Sequence, residues 1–185
     1  MIEFKIRQVP EVTSTNTVAL EEVKKGAEEG LVIATDYQTE GRGKPGNAWL
    51  SPKGKNLLCS ILLRPPLTPS QAPLLTQVAC RAIAKVLKEK YDIESEFKRP
   101  NDIMIGSQKI CGILTEAVST TTKLEAVVIG IGLNINAHPS ELPKEAISMG
   151  HITGRNYSRV KILAHILDEL SYRLKEIYKT GTITA

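Results

Sequence analysis

Aromatic side chains are scarce in this chain: one tryptophan, two phenylalanines and five tyrosines among 185 residues. The core must therefore rest on leucine, isoleucine, valine and alanine. The lone tryptophan, Trp49, reads on composition alone as a core aromatic. Cysteine is scarce as well. Cys59, Cys80 and Cys111 are widely spaced and odd in number, with no CxxC pair and no cysteine–histidine cluster at zinc spacing. That argues against a disulfide framework and a zinc site, and for reduced thiols. An excess of one charge is also missing. A net charge of +4 favours anionic ligands but is far below that of a dedicated nucleic-acid binder. No apolar run approaches the roughly 20 residues that span a bilayer, and the stretch Met1-Ile2-Glu3-Phe4-Lys5 has no apolar signal core. Together these absences predict a cytoplasmic protein that engages neither nucleic acid nor membrane. The length fits a single domain over residues 1–185.

What is present divides into alternating patterns. Ser14-Thr15-Asn16 offers caps for a helix over residues 17–25, stopped by Gly26 and Gly30. Residues 31–35 and 56–63 read as apolar strands, the second ended by Arg64-Pro65-Pro66. Apolar residues at 75, 78, 79, 82, 83, 86 and 87 give one helical stripe within residues 71–91. Residues 93–97 predict a strand leading into the turn-forming Pro100-Asn101-Asp102, and residues 103–105 with 109–117 a β-hairpin. Residues 124–135 form a Val- and Ile-rich strand interrupted by Gly130 and Gly132, glycines that admit a close neighbour or mark a bulge. A short helix is expected over residues 141–148. A long amphipathic one follows the capping Ser158. The pattern predicts an α+β fold, a mixed β-sheet flanked by helices.

The most informative segment is Gly41-Arg42-Gly43-Lys44-Pro45-Gly46, two cations in a loop with little side-chain bulk. It matches the dinucleotide-binding pattern Gly-x-Gly-x-x-Gly in letters only. Pro45 and the following Asn47-Ala48-Trp49-Leu50-Ser51-Pro52 make a poor helix start, and no Lys-Ser/Thr pair follows Gly46 as a phosphate-binding P-loop requires. A solvated surface loop is the plain alternative. Arg42 can grip a carboxylate or phosphate as a fork and Lys44 can act as a point charge, while glycines let backbone N–H groups approach an anion. With a second cationic stretch from Lys98 to Lys109, the sequence suggests a site for a polyanion beside a reactive carboxylate.

Seven ordered blocks carry a resemblance: Ser14-Thr15-Asn16; Tyr37-Gln38-Thr39-Glu40-Gly41-Arg42-Gly43; Trp49-Leu50-Ser51-Pro52; Gly54-Lys55-Asn56-Leu57; Lys98-Arg99-Pro100-Asn101-Asp102; Lys109-Ile110-Cys111-Gly112-Ile113-Leu114; and Gly130-Ile131-Gly132-Leu133-Asn134. In that order and spacing, the chain resembles the catalytic domain of biotin protein ligases. The resemblance implies the fold shared by class II aminoacyl-tRNA synthetases and biotin ligases. It implies ATP and biotin as substrates with Mg²⁺, a biotinyl-5′-AMP intermediate, and transfer to one lysine of the carrier domain of a biotin-dependent carboxylase. A homodimer is the expected assembly.

By the same resemblance, Ser14, Thr15, Asn16 and Gln38 would recognise the ureido ring, although the first three also suit a plain helix cap. Gly41, Arg42, Gly43 and Lys44 would close over the ligand, with Arg42 and Lys44 near carboxylate and phosphates. Lys109 would bridge the biotin carboxylate and the α-phosphate as the main catalytic cation, and Gly112 would admit the ligand. Trp49, Asn101 and Asn134 would face the nucleotide. Asp102 would orient or deprotonate the incoming amine or help to hold Mg²⁺, and Lys98 would add positive charge. Metal ligands are not assigned.

Two features depart from the family pattern. Arg99 stands where a tryptophan is usual, and Lys44-Pro45 replaces a more arginine-rich pair. The resemblance covers neither a DNA-binding domain nor a C-terminal SH3-like domain, so a repressor role is not expected. Two other functions compete: a lipoate or octanoate ligase of the same superfamily, and a module that binds biotin or its adenylate without ligation.

Overall fold

The computed structural model of the protein describes residues 2–43 and 46–183. Lys44, a candidate ligand of both substrates, lies outside the described residues.

Seven strands form one mixed sheet in the order β1-β2-β3-β7-β6-β5-β4. An interior strand, β3 (Leu57–Leu63), Leu-Leu-Cys-Ser-Ile-Leu-Leu, is buried along its whole length. A near-continuous apolar run is what a strand covered on both faces requires. It pairs antiparallel with β2 (Leu31–Gln38) and β7 (Leu124–Leu133). Beyond β7 come β6 (Gln108–Ser119), β5 (Asp102–Ile105) and β4 (Glu96–Lys98), each antiparallel to its neighbour. Strand β1 (Lys5–Val12) runs parallel to β2, connected through α1 (Thr15–Lys24).

The sequence reading assigned no strand before Ser14. β1 is an edge strand, largely exposed. Lys5, Arg7, Gln8, Pro10 and Glu11 dilute the apolar alternation on which a strand assignment depends, and charge and proline suit an open edge.

The two faces of the sheet are covered unequally. On one, α2 (Leu74–Tyr91) and α4 (Arg159–Thr180) pack on Cys59, Ile61, Val127, Ile129 and Cys111 to make the main core. On the other, α1 lays Ala19 and Val23 on Ile33, Leu62, Ala126 and Val128. The period of two places Ser60, Gly130, Gly132, Gly112 and Glu116 on the α1 side. Those positions lie beyond the apolar patch that α1 covers, so this face stays open at one end of the sheet.

The helix expected over residues 141–148 is not formed. A 3₁₀ turn covers Pro139–Glu141, and the short helix α3 is Met149–Thr153. The intervening chain runs beside β6 instead: Lys109 N–H donates to Glu145 O at 2.7 Å and Ile147 N–H to Lys109 O at 3.0 Å. Helix α4 matches expectation, with the Ser158 hydroxyl capping Lys161 N–H and Gly181 closing the end at φ +65°.

All three thiols are buried and free. Burial pushes Cys59 and Cys80 up to about 12 and raises Cys111 as well. Iodoacetamide at about pH 8 is expected to label none of them in the folded protein and all three in denaturant, because the thiolate is the nucleophile. The folded-state values are raised, so this contribution to stability is complete below the unfolded thiol value of about 8.5. It should fall by about 1.4 kcal/mol per pH unit for each of Cys59 and Cys80 as pH rises from there towards 12. Urea unfolding at stepped alkaline pH, native chain against a Cys59→Ala variant, measures it.

Candidate active site

The N-terminus of α1, the glycine loop, the β4–β5 turn, β6 and β7 meet around a cavity of about 180 Å³ on the α1 face. Its walls include Ser14, Thr15, Asn16, Gln38, Arg42 and Gly43 on one side and Trp49, Asn101, Asp102, Lys109 and Gly112 on the other. Arg42 and Lys109, from stretches more than sixty residues apart, thus share one cavity.

The Ser14 to Asn16 segment does more than cap a helix. Ser14 occupies the N-cap position but its hydroxyl makes no capping bond. It lines the cavity while nearly buried. Thr15 is held by Gln38, whose Oε1 accepts from Thr15 N–H at 2.8 Å and from its hydroxyl at 3.1 Å. Asn16 is the most constrained. Its Nδ2 donates to Leu114 O (3.1 Å) and Glu116 Oε2 (2.7 Å), while Ser60 Oγ lies 2.5 Å from its Oδ1 and 2.7 Å from Thr15 Oγ1. Both amide hydrogens are consumed, so towards the cavity Asn16 can only accept a hydrogen bond. Gly130 makes room for it: a β-carbon there would lie 2.2 Å from Asn16 Oδ1.

Trp49 is a partition. Its ring lies against Gly112 and Gly132, where added β-carbons would sit 2.8 Å and 2.4 Å from ring atoms, and its buried Nε1 has no partner. On its other side is a second cavity of about 190 Å³, lined by Ala48, Leu50, Asn134, Leu142, Pro143 and Ala146 among others. Trp49 and Lys109 line both chambers. The close neighbours that Gly130 and Gly132 admit are therefore an asparagine and a tryptophan side chain rather than a bulge.

Lys109 stands at the junction. Its Nζ is 2.8 Å from Asp102 Oδ1, an ionic contact lacking hydrogen-bond alignment, and 5.3 Å from the Trp49 ring centroid. An ammonium over an indole face gains from the ring quadrupole. Asn101 is pinned by its Nδ2 bond to Ile113 O at 2.8 Å, leaving Oδ1 buried without a partner on the cavity wall.

Several expected residues sit differently. Arg42 lines the cavity, yet both its terminal nitrogens are committed to Glu116, at 3.1 and 2.7 Å. Gly41 does not line the cavity. It closes the loop, accepting from Trp49 N–H at 2.8 Å, and a β-carbon there would lie 2.3 Å from Trp49 O. Asn134 borders the second chamber only, and its side chain is bonded to Asn56 Nδ2 and Lys109 O. Lys98 is exposed on β4, paired with Asp102 in the strand register, and is not a cavity residue.

Ser60 and Glu116 were missed. Ser60 is the one polar residue in an otherwise apolar strand, which was a usable signal. Nothing local distinguishes Glu116, whose partners are 74 and 100 residues away.

Comparison with known proteins places these features in context. The sequence profile of the biotin/lipoate A/B protein ligase family matches residues 9–134. A bifunctional ligase/repressor BirA of Bacillus subtilis is 35% identical over 160 residues, covering 84% of this chain and 49% of that protein. A biotin–[acetyl-CoA-carboxylase] ligase of Mycobacterium tuberculosis is 29% identical over 171 residues, covering 90% of this chain and 62% of that protein. The chain thus spans about half the length of the first of these relatives. Among solved structures, the biotin protein ligase from Aquifex aeolicus in complex with biotin and ATP superposes with a TM-score of 0.79 at 29% identity, over 95% of this chain and 72% of that one. The biotin protein ligase from Leishmania major in complex with biotinyl-5-AMP gives 0.77 at 26% identity, over 93% and 75%.

Proposed function

The chain belongs to the biotin/lipoate A/B protein ligase family, and from that premise we propose that it joins biotin to a lysine of a carrier protein in two ATP-driven steps. The observation that carries this reading is the position of Lys109, whose side chain borders two adjoining chambers. The first chamber takes biotin and the second takes the nucleotide. The named neighbours support both substrates: the Aquifex structure holds biotin and ATP, the Leishmania structure the adenylate.

The first chamber suits a ureido ring. The Ser14 hydroxyl, unused in capping, can donate to the ring carbonyl, and Asn16 Oδ1 can accept a ring N–H. The ring's carboxylate tail then reaches Lys109. In step one a carboxylate oxygen attacks the α-phosphorus of ATP, the bond to the β-phosphate oxygen breaks, and pyrophosphate leaves. Two anions must be held together against their repulsion, and a fixed ammonium between them lowers that barrier by electrostatics and proximity. In step two a lysine amine of the carrier attacks the acyl carbon and AMP leaves with the bonding pair. Asp102, on the cavity wall, can take the amine's proton.

Magnesium accompanies the triphosphate in this reading. Among the described residues no group of three metal-ligating side chains is present, and Mg²⁺ is commonly bound through substrate phosphates. The carrier is the lysine-bearing domain of a biotin-dependent carboxylase, and the compartment is the cytoplasm. No described helix is long and apolar enough to cross a membrane.

The test mixes the protein with ATP, Mg²⁺, labelled biotin or lipoate, and a biotin carrier domain. Label transferred from biotin to the carrier is the expected result. Label from lipoate alone would establish the other ligase of the family. Biotin binding with neither pyrophosphate release nor transfer would reduce the protein to a binding module and overturn the proposal.

A further inference from the structure

Arg42 and Asn16 share one partner. Glu116 Oε2 accepts from Asn16 Nδ2 and Arg42 Nη2, each at 2.7 Å, and Oε1 accepts from Arg42 Nη1 at 3.1 Å. A planar fork on a carboxylate is directional as well as charge-assisted, and it holds geometry in a way a lysine could not. The carboxylate is about one-quarter exposed and the guanidinium two-fifths. The pair sits at the margin of the cavity rather than in free solvent.

We infer that Glu116 is a positioning residue that ties the glycine loop to the ligand-reading asparagine, making loop placement and ring recognition one unit. The inference rests on the biotin reading for its consequence but not for its geometry. Asn16 offers its oxygen to the cavity only while both Nδ2 hydrogens have acceptors on the far side. Leu114 O satisfies one and Glu116 the other. Without Glu116, an Nδ2 hydrogen is freed and the amide can turn a donor towards a ring N–H. Arg42 simultaneously loses both anchors, and the loop hydrogen bonds from Gly43 N–H to Asn47 O and from Trp49 N–H to Gly41 O are left to hold the flap alone. The guanidinium is thus an anchor of the loop, and the charge that faces the reacting anions is left to Lys109.

Two measurements test this. In the ligand-free protein, trypsin cuts the loop at Arg42–Gly43, since the Lys44–Pro45 bond resists it. Cleavage requires Arg42 to leave Glu116. Glu116→Met, which keeps the side-chain length and has no oxygen acceptor, should speed that cut about tenfold, the scale of losing a hydrogen bond to a charged group, while cleavage after Arg81 in α2, which reports global unfolding, stays at the native rate. By calorimetry, Glu116→Met should weaken biotin binding about tenfold or more with ATP affinity unchanged. Combining it with Arg42→Met should add little, because both break one unit. A tryptic rate within twofold of native overturns the inference in every case. A faster cut with unaltered biotin affinity, or two variants whose effects multiply, overturns the coupling to Asn16. If the native protein binds no biotin, the functional reading fails and the tryptic rate alone decides whether Glu116 holds Arg42.

Discussion

Lys109→Ala should lower the rate of adenylate formation by about 100-fold to 1000-fold, the scale of deleting one preorganised transition-state donor. The size follows from how firmly this ammonium is placed. The Lys109 backbone is bonded on both sides to the 145–147 segment, at 2.7 and 3.0 Å, so its Cα cannot drift. Asp102 at 2.8 Å and the Trp49 face at 5.3 Å fix the end of the side chain. A cation that is already oriented needs no reorganisation when negative charge shifts onto the non-bridging oxygens of the α-phosphate. Stability should change little: Lys109 is one-third exposed, and its ion pair is worth about 1 kcal/mol or less after screening. Biotin affinity without nucleotide should fall only about tenfold, because one charge-assisted contact is lost from the ground state. Lys109→Arg should not restore the rate, since a planar fork cannot occupy a point-charge position between two chambers. Single-turnover adenylation with pyrophosphate detection reads all of this. A rate within threefold of native would remove Lys109 from the chemistry and with it the two-chamber reading.

How much of this was legible beforehand depends on where the information lies in the chain. Helices α2 and α4 follow from spacing alone, because one face of each is buried over four turns or more and no other period fits. The glycine loop and the Lys109 segment were singled out from the sequence, and the structure brings Arg42 and Lys109 to one cavity. Two kinds of information were invisible. Where tertiary pairing overrides propensity, local reading fails. Residues 145–147 have good helix formers, yet they give their backbone groups to Lys109 and so fix the catalytic candidate. Where a role depends on a distant partner, the sequence does not name that partner. Arg42 was read as a carboxylate grip, and the carboxylate it holds in this structure is Glu116, 74 residues on. Asn134 was read as facing the nucleotide; it borders the second chamber, with its amide bonded to Asn56 and a backbone carbonyl. The glycines of β7 were flagged for a close neighbour, and only the fold could say that Gly130 receives Asn16 and Gly132 receives Trp49.

That division between two glycines two residues apart yields the second large effect. Gly130→Ala should weaken biotin binding by about 100-fold and destabilise the fold by about 1–3 kcal/mol, the usual range for overpacking. The added carbon would sit 2.2 Å from Asn16 Oδ1 and 2.9 Å from its Cγ. Asn16 cannot retreat cheaply, because Ser60, Leu114 O and Glu116 hold it on three sides. Moving it breaks those bonds and withdraws the acceptor offered to the ring. Gly132→Ala would instead press on Trp49, 2.4 Å from its ring. The tryptophan sits between the chambers and its Nε1 has no partner to lose, so displacement should be cheaper in stability and should fall mainly on ATP affinity. Shortening the clashing residue separates steric cost from recognition. In a Gly130→Ala, Asn16→Ser double variant the overlap disappears together with the Asn16 bonds, so the unfolding free energy should return to that of Asn16→Ser alone while biotin affinity stays low. Calorimetric titration and denaturant unfolding of the four proteins give the answer. Recovery of biotin affinity along with stability would mean that Asn16 is only a spacer, and that ring recognition lies with Ser14 and Thr15 instead.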